Sequence, residues 1–414
     1  MTTTHRPAPP TAPIGLTSPR RRRRAGWVPP LMAGAVVLLL GGLWEGLVYL
    51  GFPLPAGNAV LHSEHGPLMV LGFLGTLISL ERAVALGPVW AYLAPAGAAL
   101  GGVLAASGLP GGAGPALVTL GGAVLVAIFV AVHRIQPSLH NTVLAGGAVC
   151  WVIAGVLWLI GWDVPKFVPF LVGFLVLTIT GERLELSRMA GSGRTARLLF
   201  AVAAGVFTVG LVASLASTDL GVRIAGAGLV LLSAWLARWD IARRTIRNRG
   251  LPRFMAAALL TGYAWLLVGG VLWISVGRLA FTDLGTAAHG SAYDAMLHAI
   301  FLGFVFSMIF AHAPVIVPSV LGRPLPFHRG FYVPLVLLHA TLLLRILGGD
   351  AAGIVALWRW SGVLNEITLL LFIAMAATAV VRGRRNAPRR PWSNGNPPMA
   401  GRSPEGGPAA GIHR

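Results

Sequence analysis

Four histidines stand in stretches of chain that are otherwise almost wholly apolar. His62 and His65, with Glu64 between them, open "LHSEHGPLMVLGFLGTLISLER" (61–82). His298 opens "LHAIFLGFVFSMIFAHA" (297–313), and His339 sits inside "PLVLLHATLLLRIL" (334–347). Neutral imidazole is a good ligand for haem iron and for copper, and haem held between two helices takes one axial histidine from each. His65 and His298 offer that pair, with His339 and His62 as further candidates. His62 and His65 are three residues apart and share a helix face if the second helix starts early enough; with Glu64 they then describe an alternative, small metal site. A single histidine among apolar helices is more often a hydrogen-bond donor between helices. It is their shared depth, derived below, that points to a cofactor.

The surrounding sequence says what must position these residues. Of the 414 residues, 56% are hydrophobic and 11% charged, too few charges to keep a soluble chain of this size in solution. Apolar runs near twenty residues, the length that crosses a ~30 Å hydrocarbon layer, recur near 27–51, 62–86, 89–108, 115–135, 142–162, 167–188, 196–215, 222–243, 254–276, 292–319, 329–347 and 355–381. The expected fold is an all-α integral membrane domain of twelve transmembrane helices over 26–382. Basic, disordered tails are expected at 1–25 and 383–414.

Twelve spans with both termini cytoplasmic place Arg20–Arg24, Arg134, Arg183–Arg197, Arg243–Arg253, Arg323, Arg329 and the tail arginines on one side. The other side receives Lys166, Arg223, Arg278, Arg345 and Arg359, the asymmetry expected when basic loops stay inside. The net charge of +19 is then explained by orientation and by anionic lipid headgroups. No soluble basic domain remains that would bind nucleic acid. A cleavable signal peptide is not expected. The single cysteine, Cys150, excludes a disulfide framework and a cysteine-based metal site. Nucleotide-binding loops, a covalent haem attachment motif and a serine nucleophile elbow are absent, and no catalytic residue is assignable.

The segment after the first histidines has echoes. "GFLGTLISLER" (72–82) aligns without gaps to "GFLVLTITGER" (173–183) and to "GFVFSMIFAHA" (303–313), with His312 where the other two have glutamate. The pattern predicts three units of four helices around a pseudo-threefold axis. Glu81-Arg82 and Glu182-Arg183 read as anchors at the cytoplasmic ends of their spans, paired with each other or with a neighbouring loop, and His312 as an interfacial or packing residue. His133, His140, His289 and His328, in or beside loops, are expected to be solvated.

The histidine mouth breaks the repeat: His65 lies seven residues before Gly72 and His298 five before Gly303, while the middle copy has no histidine there. At ~1.5 Å per residue the two differ by about 3 Å in depth. His339 falls near the same level, as do Glu45 and Glu366. Arg345 and Arg359 stand above them on the outer side, where haem propionates would need cations.

"HSEHGPLMVLGF", the tenth span with its "LGRPL" loop, and "LLHATLLLRILGGD" resemble the motifs of the NnrS family, twelve-span bacterial membrane proteins associated with haem, copper and nitric-oxide stress. Carried over by motif, the resemblance implies roles for His62, His65, His298 and Arg345, with Gly322-Arg323-Pro324 as the matching loop. The second entry histidine is displaced by one residue, and the inner end of the tenth span lacks the family's histidine-bearing pattern. The arrangement also resembles the catalytic subunit of haem-copper oxidases, with low-spin haem ligands on the second and tenth helices. The seventh span has no histidine, so a binuclear oxygen-reducing centre is not expected.

The expected function is thus that of a bacterial inner-membrane protein binding b-type haem, with copper as the other metal, for electron transfer or response to nitric oxide or another small ligand. Its partners would be the bilayer and a redox partner or respiratory complex. The competing expectations are a haem-free, proton-coupled transporter and a structural partner of a respiratory complex.

Overall fold

The computed structural model describes residues 26–55, 64–109, 111–189, 191–277 and 292–386. His62, His289, Arg278 and the segment 1–25 lie outside them. The described chain is helical throughout, without a strand among the described residues. Twelve helices are long and apolar enough to cross a membrane: α1 Val28–Tyr49, α2 His65–Leu86, α3 Val89–Ala106, α4 Ala113–Ile135, α5 Leu139–Leu159, α6 Val164–Arg188, α7 Arg194–Ala216, α8 Thr218–Trp239, α9 Leu251–Val276, α10 Ala292–Leu321, α11 Arg329–Ala351 and α12 Val355–Arg382. This is the architecture of a multi-pass membrane protein, and its outward-facing Leu, Val and Ile side chains meet lipid. Each span coincides with one expected from hydropathy. The last helix continues to Asn386, four residues into the expected tail.

Short connections make consecutive spans antiparallel neighbours, and α12 packs back on α1. Three spans, α2, α6 and α10, touch one another and are the most buried of the twelve. These carry the Gly-Phe segments, so the repeated sequence forms the centre of the bundle and the remaining spans surround it. Close approach depends on small residues, as is usual where lipid supplies no hydrophobic drive between helices.

Gly303 marks one such approach: a Cβ there would lie 2.4 Å from Trp265 Cγ. The glycine lets α9 seat that indole against α10. Gly303→Ala is expected to displace Trp265 and lower stability by about 1–3 kcal/mol, as overpacking does. The melting temperature of the purified protein checks it.

Candidate functional site

The two histidine-bearing central spans share a local irregularity that the third lacks. In α2, His65 is followed by a π-helical segment, Leu68–Leu74, and in α10, His298 by another, Ala299–Phe306. Each holds its Gly-Phe pair. Thr76 and Ser307, four residues beyond the glycines, donate their hydroxyls to the Gly72 and Gly303 carbonyls, both at 2.6 Å. In α6 the chain stays α-helical and Leu177 occupies that place. Wide π turns are found mostly at functional sites, because they re-aim side chains at a cost in regular hydrogen bonding. A third π segment, Leu344–Ala351, carries Arg345 and Asp350.

Asp294, one turn before His298, is the hub of this end of the bundle. Arg345 grips its carboxylate with two bonds, Nε to Oδ2 and Nη2 to Oδ1, both 2.9 Å. The Trp358 indole N–H adds a third at 3.2 Å, and the guanidinium lies 5.3 Å from the centre of the same indole. The planar fork of arginine fits a carboxylate in two places at once, so one ion pair joins α10, α11 and α12. Asp350 lies beside Asp294, and its carboxyl oxygens are buried.

His298 is fixed by the same aspartate. Its Nδ1 is 2.8 Å from the Asp294 backbone carbonyl and 3.1 Å from Oδ1. Both neighbours are acceptors, so Nδ1 carries the proton and Nε2 keeps its lone pair in the neutral ring. That is the arrangement of a ligating histidine, whose second nitrogen is held by a carboxylate or carbonyl.

The other candidates are placed differently. His65 meets the Tyr49 ring edge-on, with centroids 6.1 Å apart. Its neighbour Glu64 accepts the Trp158 indole N–H at 2.8 Å; burial pushes the Glu64 carboxyl up, against the pull of that bond. His339 accepts the Trp265 indole N–H on Nδ1 at 3.0 Å. Its neutral ring therefore carries the proton on Nε2, which is buried without a hydrogen-bond partner. A metal at that nitrogen would require the Trp265 bond to break, so the structure gives His339 an interhelical bond rather than a ligand's geometry.

Arg345 and Arg359, expected as cations for propionates, both have protein partners: Arg345 holds Asp294, while Arg359 donates to the Gly51 carbonyl at 2.7 Å and covers the Phe52 ring at 4.2 Å. Glu366 on α12 presses on Gly46 of α1, where a Cβ would lie 2.5 Å from Oε1, and Glu45 beside it is fully buried. Among the described residues no group of three or more His, Cys, Asp or Glu side chains is placed to hold a metal ion. The expected His62, His65 and His298 set cannot be assembled from them, since His62 lies outside.

At the opposite, arginine-rich end the repeated Glu-Arg pairs do meet. Arg82 binds Glu182 at 2.5 Å, linking α2 to α6, and Arg183 donates to His312 Nε2 at 2.7 Å, linking α6 to α10. His312 Nδ1 donates to the Met308 carbonyl at 2.6 Å. His140, expected in solvent, is instead buried beside Ser138 and Glu185, because the connection before it is short and α5 begins at Leu139.

Asp240, just past α8, is buried near Arg183 and accepts the Ala242 N–H at 2.7 Å. Burial raises its carboxyl above the ordinary range, against the pull of Arg183 and of that N–H. The folded state thus holds the proton more tightly than the unfolded chain. Stability is fully present below the unfolded value and falls as pH rises through the raised one. In melting curves taken across that window, Asp240→Asn should flatten the fall.

No curated protein matches the chain in sequence. Residues 28–381, the whole twelve-helix bundle but for its last residue, match a family described only as a domain of unknown function (DUF8744), and the chain belongs to that family.

Proposed function

We propose that this is a bacterial cytoplasmic-membrane protein that binds b-type haem between α2 and α10, through His65 and His298. It would serve electron transfer or the response to nitric oxide or another small ligand, much as the resemblance to NnrS proteins implies. One observation carries the proposal: the Nδ1–H of His298 is tied to Asp294, itself held by Arg345 and Trp358, so the ring is oriented and Nε2 retains its lone pair. The π segments that follow both histidines and neither bound of α6 support it. Bound haem would supply one-electron chemistry and a site for a diatomic molecule. The chain's own part is to orient His298 through Asp294 and keep the surroundings dry. Copper remains the second metal that these imidazoles suit.

The test is the visible spectrum of the purified, dithionite-reduced protein produced with ample haem. Sharp α and β bands of a six-coordinate haem support the proposal, and their absence overturns it. A second reading, proton-coupled transport, is favoured by Asp350, a buried carboxyl set beside a second one, Asp294, since ionisable groups inside a membrane usually mark an ion or proton path. It predicts proton-linked flux in vesicles that Glu45→Gln or Glu366→Gln abolishes.

A further inference from the structure

The arginine-rich end of the bundle contains a cavity of about 180 Å³, lined by α2, α6 and α10 with Met32 of α1. Its walls follow the sequence repeat. Ile78, Ile179 and Ile309 occupy one aligned position, Glu81, Glu182 and His312 another, and all six line the cavity. The residue after the second triplet is Arg82 in the first unit and Arg183 in the second. Each sends its guanidinium forward to the aligned position of the next unit, Arg82 to Glu182 and Arg183 to His312. The third unit has Ala313 at that place, also on the cavity wall. No guanidinium therefore passes from α10 to Glu81, which is left with its own neighbour Arg82 at 3.3 Å. The chain of forward contacts is open on one side, between Ala313 and Glu81.

The charges at this level lean the same way. Arg82 has Glu81, Glu182 and Glu185 in its field, and Arg183 has Asp240. The cavity wall itself carries two carboxyl groups, Glu81 and Glu182, which share the guanidinium of Arg82, and no arginine among the described residues lines it; His312 adds no charge while it accepts from Arg183 on Nε2 and donates from Nδ1. A low-dielectric wall with a surplus of carboxylate favours a cation, and aliphatic walls above it favour an alkyl body.

We infer that this cavity is a binding site for a lipophilic amine, whose ammonium head takes the place of the missing third guanidinium beside Glu81 and Ala313 while its chain lies among the isoleucines. The site is independent of the haem proposal and lies at the opposite end of the bundle.

The full-length protein in lipid nanodiscs, photolabelled with a diazirine-bearing alkylamine and separately with the matched alkanol, tests it by peptide mapping. The amine should label the cavity-facing residues of α10 and α2 in preference to lipid-facing spans, and the alkanol should not. Glu81→Gln should cut amine labelling roughly tenfold, the worth of a charge-assisted hydrogen bond. Ala313→Arg should do the same by supplying the guanidinium from within, while the protein elutes and melts like the parent. Should that variant not fold, Ile309→Phe, which fills the cavity with apolar bulk, must give the same loss. Equal labelling by amine and alkanol, or amine labelling unchanged in Glu81→Gln and in whichever cavity variant folds, overturns the inference.

Discussion

On the haem proposal, His298→Ala is expected to remove the reduced α and β bands from protein produced with ample haem, and His65→Ala to do the same, whereas His339→Ala and His312→Ala should leave them in place. The contrast follows from which ring nitrogen is occupied. At His298 the proton is on Nδ1, facing Asp294, and Nε2 is the nitrogen with a lone pair. At His339 the indole of Trp265 donates to Nδ1, which puts the proton on Nε2. His312 has both nitrogens engaged, one by Arg183 and one by Met308. A neutral imidazole ligates only through an unprotonated nitrogen, so histidines of similar burial differ in competence. Bands that survive in His298→Ala, or vanish in His339→Ala, would show that the ligands have been misassigned.

The largest effect on stability is expected at Arg345. Its guanidinium is buried, and its removal leaves the Asp294 carboxylate without its main counter-charge, a loss of roughly 3–5 kcal/mol when one member of a buried pair is taken away. Arg345→Met should therefore melt far below the parent or fail to accumulate in the membrane. The double variant Arg345→Met with Asp294→Leu should regain most of that stability, since a well-packed apolar replacement often matches a buried ion pair. It should not regain haem: without the aspartate carboxylate, His298 loses a partner of the kind that typically contributes 10–100-fold in metal affinity. Thermal melts and haem titrations of the same samples separate the two roles. Full haem affinity in the double variant would reduce Asp294 to a purely structural residue.

Hydropathy and loop charge made the twelve spans legible, because spanning length and apolar composition are local properties of the chain. The three helices that carry the Gly-Phe segments are the most buried of the twelve and touch one another, a placement that the segments' resemblance did not itself specify. Asp294 escaped notice although the clue was present: it lies four residues before His298, which sets both on one helix face. Asp350 escaped for a different reason, since its place beside Asp294 depends on how α11 meets α10, which no local pattern encodes. The partners that His339 and Arg345 take, Trp265 and Asp294, come from other helices and are not legible in the local sequence. Depth along a span can be counted in residues; the direction a side chain faces around it depends on π turns that no periodicity announces.

The contacts of α12 also impose an order in time. Arg359 closes on Gly51 and Phe52 at the end of α1, and Asp294 of α10 receives Arg345 and Trp358 only from the two helices made after it. A ribosome delivers the chain from its first residue, so the earliest helix waits for the latest to be clasped. Until α11 and α12 emerge, the Asp294 carboxylate lacks Arg345, its main counter-charge, and keeps His298 of its own helix beside it. Chains cut short before Arg345 lack that clasp and are expected to accumulate in the membrane less than the full chain, which a pulse-chase comparison of the two checks.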